Sequence, residues 1–162
     1  MTPHDDIEAF AAALPRTGGL VGLDLGTKTI GVAVSDALRS VASPLRTLRR
    51  AKFTKDAEAL AEMLASRMLV GLILGLPRNM DGSEGPRAQS ARAFARNLAG
   101  HRDFAAMPIG FWDERLSTVA AERALLEADT SRQRRAEVID AVAASYILQG
   151  ALDRLRHIEA ER

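Results

Sequence analysis

Acidic residues stand at three places where the chain is otherwise apolar or where an apolar run has just ended. Asp24 lies inside the run Leu20 to Leu25. Asp113 and Glu114 close the run Met107 to Trp112. Asp140 interrupts Val138-Ile139-Asp140-Ala141-Val142-Ala143-Ala144. Burying an ionised carboxylate is costly unless something positive neutralises it. Carboxylates that converge without a matching base repel one another, which raises their pKa values. A hard divalent cation resolves that repulsion, because magnesium or manganese takes oxygen ligands and keeps waters for substrate phosphates. Two such ions about 4 Å apart activate water and stabilise the leaving oxygen of a phosphodiester.

Each position also has a plainer reading. Asp24 can cap its strand, accept from the amides of the turn that follows, or pair with Lys28. Asp140 can pair with Arg134 or Arg135, and Glu114 with Arg115. Adjacent side chains on an extended segment point opposite ways, so Asp113 is the more structural of the Asp113-Glu114 pair. The joint occurrence of these residues carries more weight than any one of them.

The elements that must position them follow from the pattern. Leu20 to Leu25, a tight Gly26-Thr27-Lys28 turn and Thr29 to Ser35 read as an apolar hairpin, with Gly22, Gly26 and Gly31 allowing close approach. Val41 to Leu48 adds a third strand, and Pro44 puts it near an edge. Residues 54–68 read as a helix, with Thr54 as a cap and Leu60, Met63, Leu64 and Met68 at helical spacing. Leu69 to Leu76 reads as a buried strand. A turn-rich loop, 77–85, leads to a helix opened by Pro86 and ending near Leu98. Met107 to Trp112 is the last strand. A helix capped by Ser117 or Thr118 runs to about Glu127, a polar loop covers 128–134, and a final helix covers about 136–157. On that helix residues 140, 143, 144 and 147 share one side, so small residues beside Asp140 let it approach the sheet. The expected fold is α/β, a mixed sheet with helices on both faces. Residues 1–18, with a short amphipathic helix over 4–14, form an N-terminal extension to a domain spanning 19–162.

Composition sets bounds. A chain of 162 residues with 47% apolar content suits one globular domain. It has no cysteine, which excludes thiolate metal sites and suits a reducing cytoplasm. The three histidines lack zinc spacing, and no apolar run is long enough to span a membrane. The net charge of +1 leaves nucleic-acid binding to local clusters such as Arg87/Arg92/Arg96 and Arg132/Arg134/Arg135.

GLDLGTKTIGVAVSD, LILGLPRNMDGSEGPRAQ, FWDERLST and IDAVAASYIL, in this order and spacing, resemble the YqgF family of Holliday-junction-resolvase-like proteins and pre-16S rRNA nucleases. The resemblance covers roughly residues 19–152, and LPxNMDG with DERLST carries it. It implies a ribonuclease-H-like fold with a five-stranded mixed sheet. It also implies a metal-dependent nuclease site of Asp24, Glu114 and Asp140, acting as metal ligands and catalytic acids, with Asp113 as a supporting acid. The implied work is cytoplasmic processing of the 16S rRNA precursor end, on free rRNA or a pre-ribosomal particle. Cleavage of branched DNA is the alternative within the family. One departure is that Glu137, Val138 and Ile139 stand where the family often has a Lys before the final Asp.

Lys28 and Thr27 would steady a phosphate, and Arg78, Asn79, Arg87, Arg115, Arg134 and Arg135 would contact the nucleic-acid backbone. Two other classes compete. One is an ATP-binding module of the actin-like type, against which stands the lack of a second phosphate loop. The other is a non-catalytic RNA-binding assembly factor. A junction resolvase would act as a homodimer, whereas an RNA-end nuclease could act as a monomer.

Overall fold

The computed structural model describes residues 2–116 and 132–161, the side chains of 132–138 excepted. Five strands form one sheet: β1 (Gly19–Leu25), β2 (Thr29–Ser35), β3 (Ala42–Arg49), β4 (Leu69–Leu76) and β5 (Ile109–Asp113). Their spatial order is β3-β2-β1-β4-β5. β2 runs antiparallel to β1 and β3 antiparallel to β2, whereas β4 is parallel to both β1 and β5. The fold is the mixed five-stranded sheet expected from the residues, and β3, with Pro44, is an edge strand as expected.

Period-2 alternation divides the core in two. Val21, Leu23 and Leu25 of β1 face a cluster with Leu60 of α2 (Phe53–Leu64) and Phe94 of α3 (Pro86–Ala99). Leu20 faces the other side, with Ile73 of β4 and with Ala144, Ile147 and Leu148 of α4 (Arg132–Ala160). Gly22 and Asp24 share the face of Leu20. α4 can lie close to this face because glycines line it. A Cβ at Gly22 would stand 2.7 Å from the Leu148 Cβ, and one at Gly75 would stand 2.6 Å from the Ile147 Cδ1.

α1 (Ile7–Ala13) is shorter than the 4–14 span expected, because Asp6 caps it by accepting from the Glu8 N–H. Phe10 anchors it: the ring is fully buried and packs over Gly110 of β5. The backbone at His4 also pairs with that strand, the His4 N–H donating to the Ile109 carbonyl.

Several expected boundaries move. α2 stops at Leu64 rather than residue 68, leaving Met68 exposed, and it starts after Lys52 without a side-chain cap from Thr54. The buried Asp56 instead accepts from the Ala51 N–H. β5 begins at Ile109, two residues later than expected, and includes Asp113. α4 begins at Arg132, inside the segment read as loop, and continues to Ala160. The helix expected from Ser117 to Glu127 lies outside the described residues.

Candidate active site

β1 places Asp24 at the centre of one row of residues across the sheet. Asp24 pairs with Gly31 of β2, and the parallel register that joins Leu23 to Leu74 brings Asp24 level with Gly75 of β4. Gly75 pairs with Trp112 of β5, just ahead of Glu114. Asp24 is 4% exposed. Both flanking positions in the row are glycines, so no Cβ fills the space beside it.

The other two acids reach this row from opposite sides. Glu114 opens a 3₁₀ turn (Glu114–Leu116) directly after β5. Its Oε2 stands 3.2 Å from where a Gly75 Cβ would be. Asp140 sits near the start of the described part of α4, with its backbone against Gly31. Adjacent strands lie about 4.8 Å apart, so the carboxylate of Asp24 has Glu114 over one neighbour and Asp140 over the other. One of the two glycines needed for that approach, Gly31, belongs to the hairpin whose glycines were conspicuous in the sequence; the other, Gly75, lies in β4.

The Asp140 carboxylate is oriented by a residue that the sequence did not single out. Thr29, the first residue of β2, donates its hydroxyl to Asp140 Oδ2 at 2.5 Å. These residues are 111 positions apart, and only the strand register brings them together. The other carboxylate oxygen of Asp140 is then the one that could ligate a cation. The side chains of Arg134 and Arg135, the alternative partners for Asp140, lie outside the described residues.

Whether a divalent ion suits this row depends on donor type and on convergence. The donors are all carboxylate oxygens, the kind that magnesium and manganese take. Among the described residues, however, no three acidic or histidine side chains are grouped closely enough to hold an ion as they stand. The row therefore matches a divalent cation in the kind of donor it offers.

Asp113 has a different role from its neighbour. Arg115 forks onto both of its carboxylate oxygens, Nη2 donating at 2.7 Å and Nε at 3.1 Å. That bonding holds the Asp113 carboxyl below the usual carboxylate range, despite partial burial. Arg115 also donates to the Met80 carbonyl at 3.4 Å, tying the end of β5 to the 77–85 loop.

The basic and polar positions expected to touch a nucleic acid separate into two groups. Arg78, Asn79 and Arg115 are engaged inside the protein. Arg78 pairs with Glu84 at 3.4 Å, and Asn79 Nδ2 donates to Ser83 Oγ at 3.0 Å. Arg92 forks onto Glu84 as well, which keeps that carboxyl below its ordinary range. Thr27 and Arg87, by contrast, are exposed and line one cleft of about 140 Å³ with Arg50 and Ser90. The cleft opens where β1 ends and α3 begins. Arg50 donates to the Gly26 carbonyl at 2.7 Å and braces the turn. Lys28 is exposed on the same turn.

The model of the RuvX family, described as Holliday junction resolvase, matches residues 18–154. This chain belongs to the RuvX family. A relative from Paracoccus denitrificans named "Putative pre-16S rRNA nuclease" is 73% identical over 154 residues, covering 95% of this chain and 96% of its own length. A relative of the same name from Cereibacter sphaeroides is 74% identical over 152 residues, covering 94% and 93%. RuvC of T. thermophilus, solved in complex with a Holliday junction substrate, superposes with a TM-score of 0.52 at 11% identity. That match covers 85% of this chain and 96% of that one. The RuvX member thus has the ribonuclease-H-like fold, with its acidic row at one end of the shared sheet.

Proposed function

We propose that this RuvX member is a nuclease that hydrolyses phosphodiester bonds in maturing the 5′ end of pre-16S rRNA, with a divalent metal, Mg²⁺ or Mn²⁺. The observation that carries the reading is the row in which Asp24 lies between Glu114 and Asp140 over paired glycines. The names of the relatives supply the substrate.

In this reading Asp24, Glu114 and Asp140 are the ligands of the cation. When bound, such an ion lowers the pKa of water and offsets charge on the phosphate. Thr29 holds the Asp140 carboxylate so that one oxygen stays available. Thr27, Arg87, Arg50 and Ser90 receive a backbone phosphate in their cleft, with Lys28 close by. Phosphate contacts position a strand without reading its bases. With only 4% aromatic residues the chain has little capacity for stacking. Cleavage is therefore selective for RNA structure or guided by the pre-ribosomal particle, and binding weakens steeply with salt. An rRNA substrate places the work in the cytoplasm. Among the described residues no helix is long and apolar enough to cross a membrane.

A second reading is cleavage of branched DNA, favoured by the description of the family model. A resolvase must cut symmetrically and would act as a homodimer. Depleting the protein in cells and sizing the 16S rRNA ends tests the first reading. Precursor ends should accumulate and be cleared by the wild-type chain but not by Asp24→Asn. Normal rRNA ends with accumulation of unresolved DNA would favour the second reading.

A further inference from the structure

A hollow of about 420 Å³ lies far from the acidic row, among the segment after α1, the turn between β2 and β3, and the C-terminal half of α4. Leu14, Leu152, Leu155 and Ile158 line it. Leu38 lies on its margin and is 79% exposed, and nearby Val41 is 59% exposed. A contiguous exposed apolar patch beside a concave surface marks a contact site, and Leu38 is the exposed aliphatic side chain that lines this one.

The charge around this hollow is one-sided. Arg16, Arg39 and Arg156 line it, against the single carboxylate of Glu159. Arg39 donates to the Gly18 carbonyl at 2.8 Å and the Pro15 carbonyl at 2.7 Å, and Arg156 to the Ser40 carbonyl at 3.2 Å. These bonds fix the guanidinium groups of Arg39 and Arg156, and the Glu159 carboxylate offsets part of the Arg39 charge. Among the described residues none of the three arginines forms an ion pair with a carboxylate. Arg39 is also held at φ 59, a left-handed conformation unusual for a side chain of that size. A strained residue that fixes a charge beside a hollow of mixed polar and aliphatic lining points to a use for that charge.

We propose that this hollow docks an acidic, aliphatic peptide segment of a partner protein. Aliphatic side chains of the segment enter between α1 and α4 beside Leu38, and its carboxylates meet Arg16, Arg39 and Arg156. The lining contains no aromatic ring on which a base could stack, which disfavours a single-stranded nucleic acid. The positive margin disfavours a basic segment. The hollow lies at the end of the sheet where β1 begins, and Asp24 lies toward the end of that strand. Six residues of strand separate Gly18 from Asp24, about 20 Å at ~3.3 Å each. A segment docked here leaves the acidic row open, so it would recruit the enzyme and not block it.

The proposal does not depend on the nuclease reading. It is tested by selecting a displayed library of random short peptides against the full-length protein. The expected enriched peptides combine Leu, Ile or Val with Asp or Glu. They should bind at least tenfold more weakly to Leu38→Asp and to Arg16→Glu, both exposed positions whose variants should keep the wild-type circular dichroism. Chemical-shift changes on peptide binding should fall on Leu152, Leu155 and Ile158. The proposal is overturned if no peptide is enriched, if the enriched peptides are basic, or if both variants bind as well as wild type. It is equally overturned if a short single-stranded RNA displaces the peptides, or if the face proves to join two copies of this chain, seen as a dimer in sedimentation that Leu38→Asp dissociates.

Discussion

Gly31 on β2 and Asp140 on α4 touch through their backbones: a Cβ at residue 31 would overlap the Asp140 carbonyl oxygen. The obstacle is backbone on both sides, so no side-chain rotation can relieve it. This contact sets how deeply α4 sits on the sheet, and with it the distance from the Asp140 carboxylate to Asp24.

Gly31→Ala should therefore push the start of α4 outward. Overpacking of this kind costs about 1–3 kcal/mol. The expected result is a lower unfolding midpoint together with a loss of cleavage at temperatures where the variant is still folded. A variant with wild-type stability and activity would mean that the helix does not rest on the strand as described.

Thr29 and Asp140 supply a subtler test. Thr29→Val keeps the shape and removes the hydroxyl that Asp140 Oδ2 accepts from. A hydrogen bond to a charged group contributes about 1.5–3 kcal/mol, and partial exposure puts the expected loss at the low end. Thr29→Ser should restore both stability and activity. Equal behaviour of the Val and Ser variants would show that the bond has no role.

Asp113 should reveal itself through pH. Because Arg115 holds its carboxyl below the usual range, the folded state binds its proton less readily than the unfolded state does. The stabilisation is thus complete above the unfolded value near about 3.9 and is lost as pH falls through the lower folded value. Urea midpoints of wild type and Asp113→Asn should differ at neutral pH and converge in strong acid. A constant difference across that range would contradict the pairing with Arg115.

The donor set of the acidic row predicts metal binding that depends on all three acids. Calorimetric titration with Mn²⁺ should show binding to wild type. Asp24→Asn, Glu114→Gln and Asp140→Asn should each weaken it by at least tenfold. Unchanged affinity in any one variant would remove that residue from the ligand set.

Much of this was legible in the residues. The order of strands and helices follows from apolar runs and turn formers, and β4 coincides with the run Leu69 to Leu76. The glycines of β1 and β2 marked a close approach, and α4 makes it. That Asp113 and Glu114 point to different surroundings was also legible: Glu114 lies by Gly75 on the α4 face, and Asp113 pairs with Arg115. What could not be read depends on register between distant segments. Thr29 looks like an ordinary strand-opening residue until β2 is set under α4. Phe10 looks like part of a detached amphipathic helix until Gly110 gives it a seat. Arg78 and Asn79 look like free donors in a turn, but Arg78 pairs with Glu84 and Asn79 donates to Ser83.

The most direct test of the central claim is single-turnover cleavage of an RNA carrying the precursor 5′ extension of 16S rRNA, with Mg²⁺ or Mn²⁺, comparing wild type with Asp24→Asn. Wild type should cut at or near the mature end. Asp24→Asn, folded and still binding the RNA, should fall by at least a thousandfold, the order expected when a group acting on the transition state is removed. Cleavage by Asp24→Asn at the wild-type rate would contradict the assignment of the acidic row as the catalytic centre.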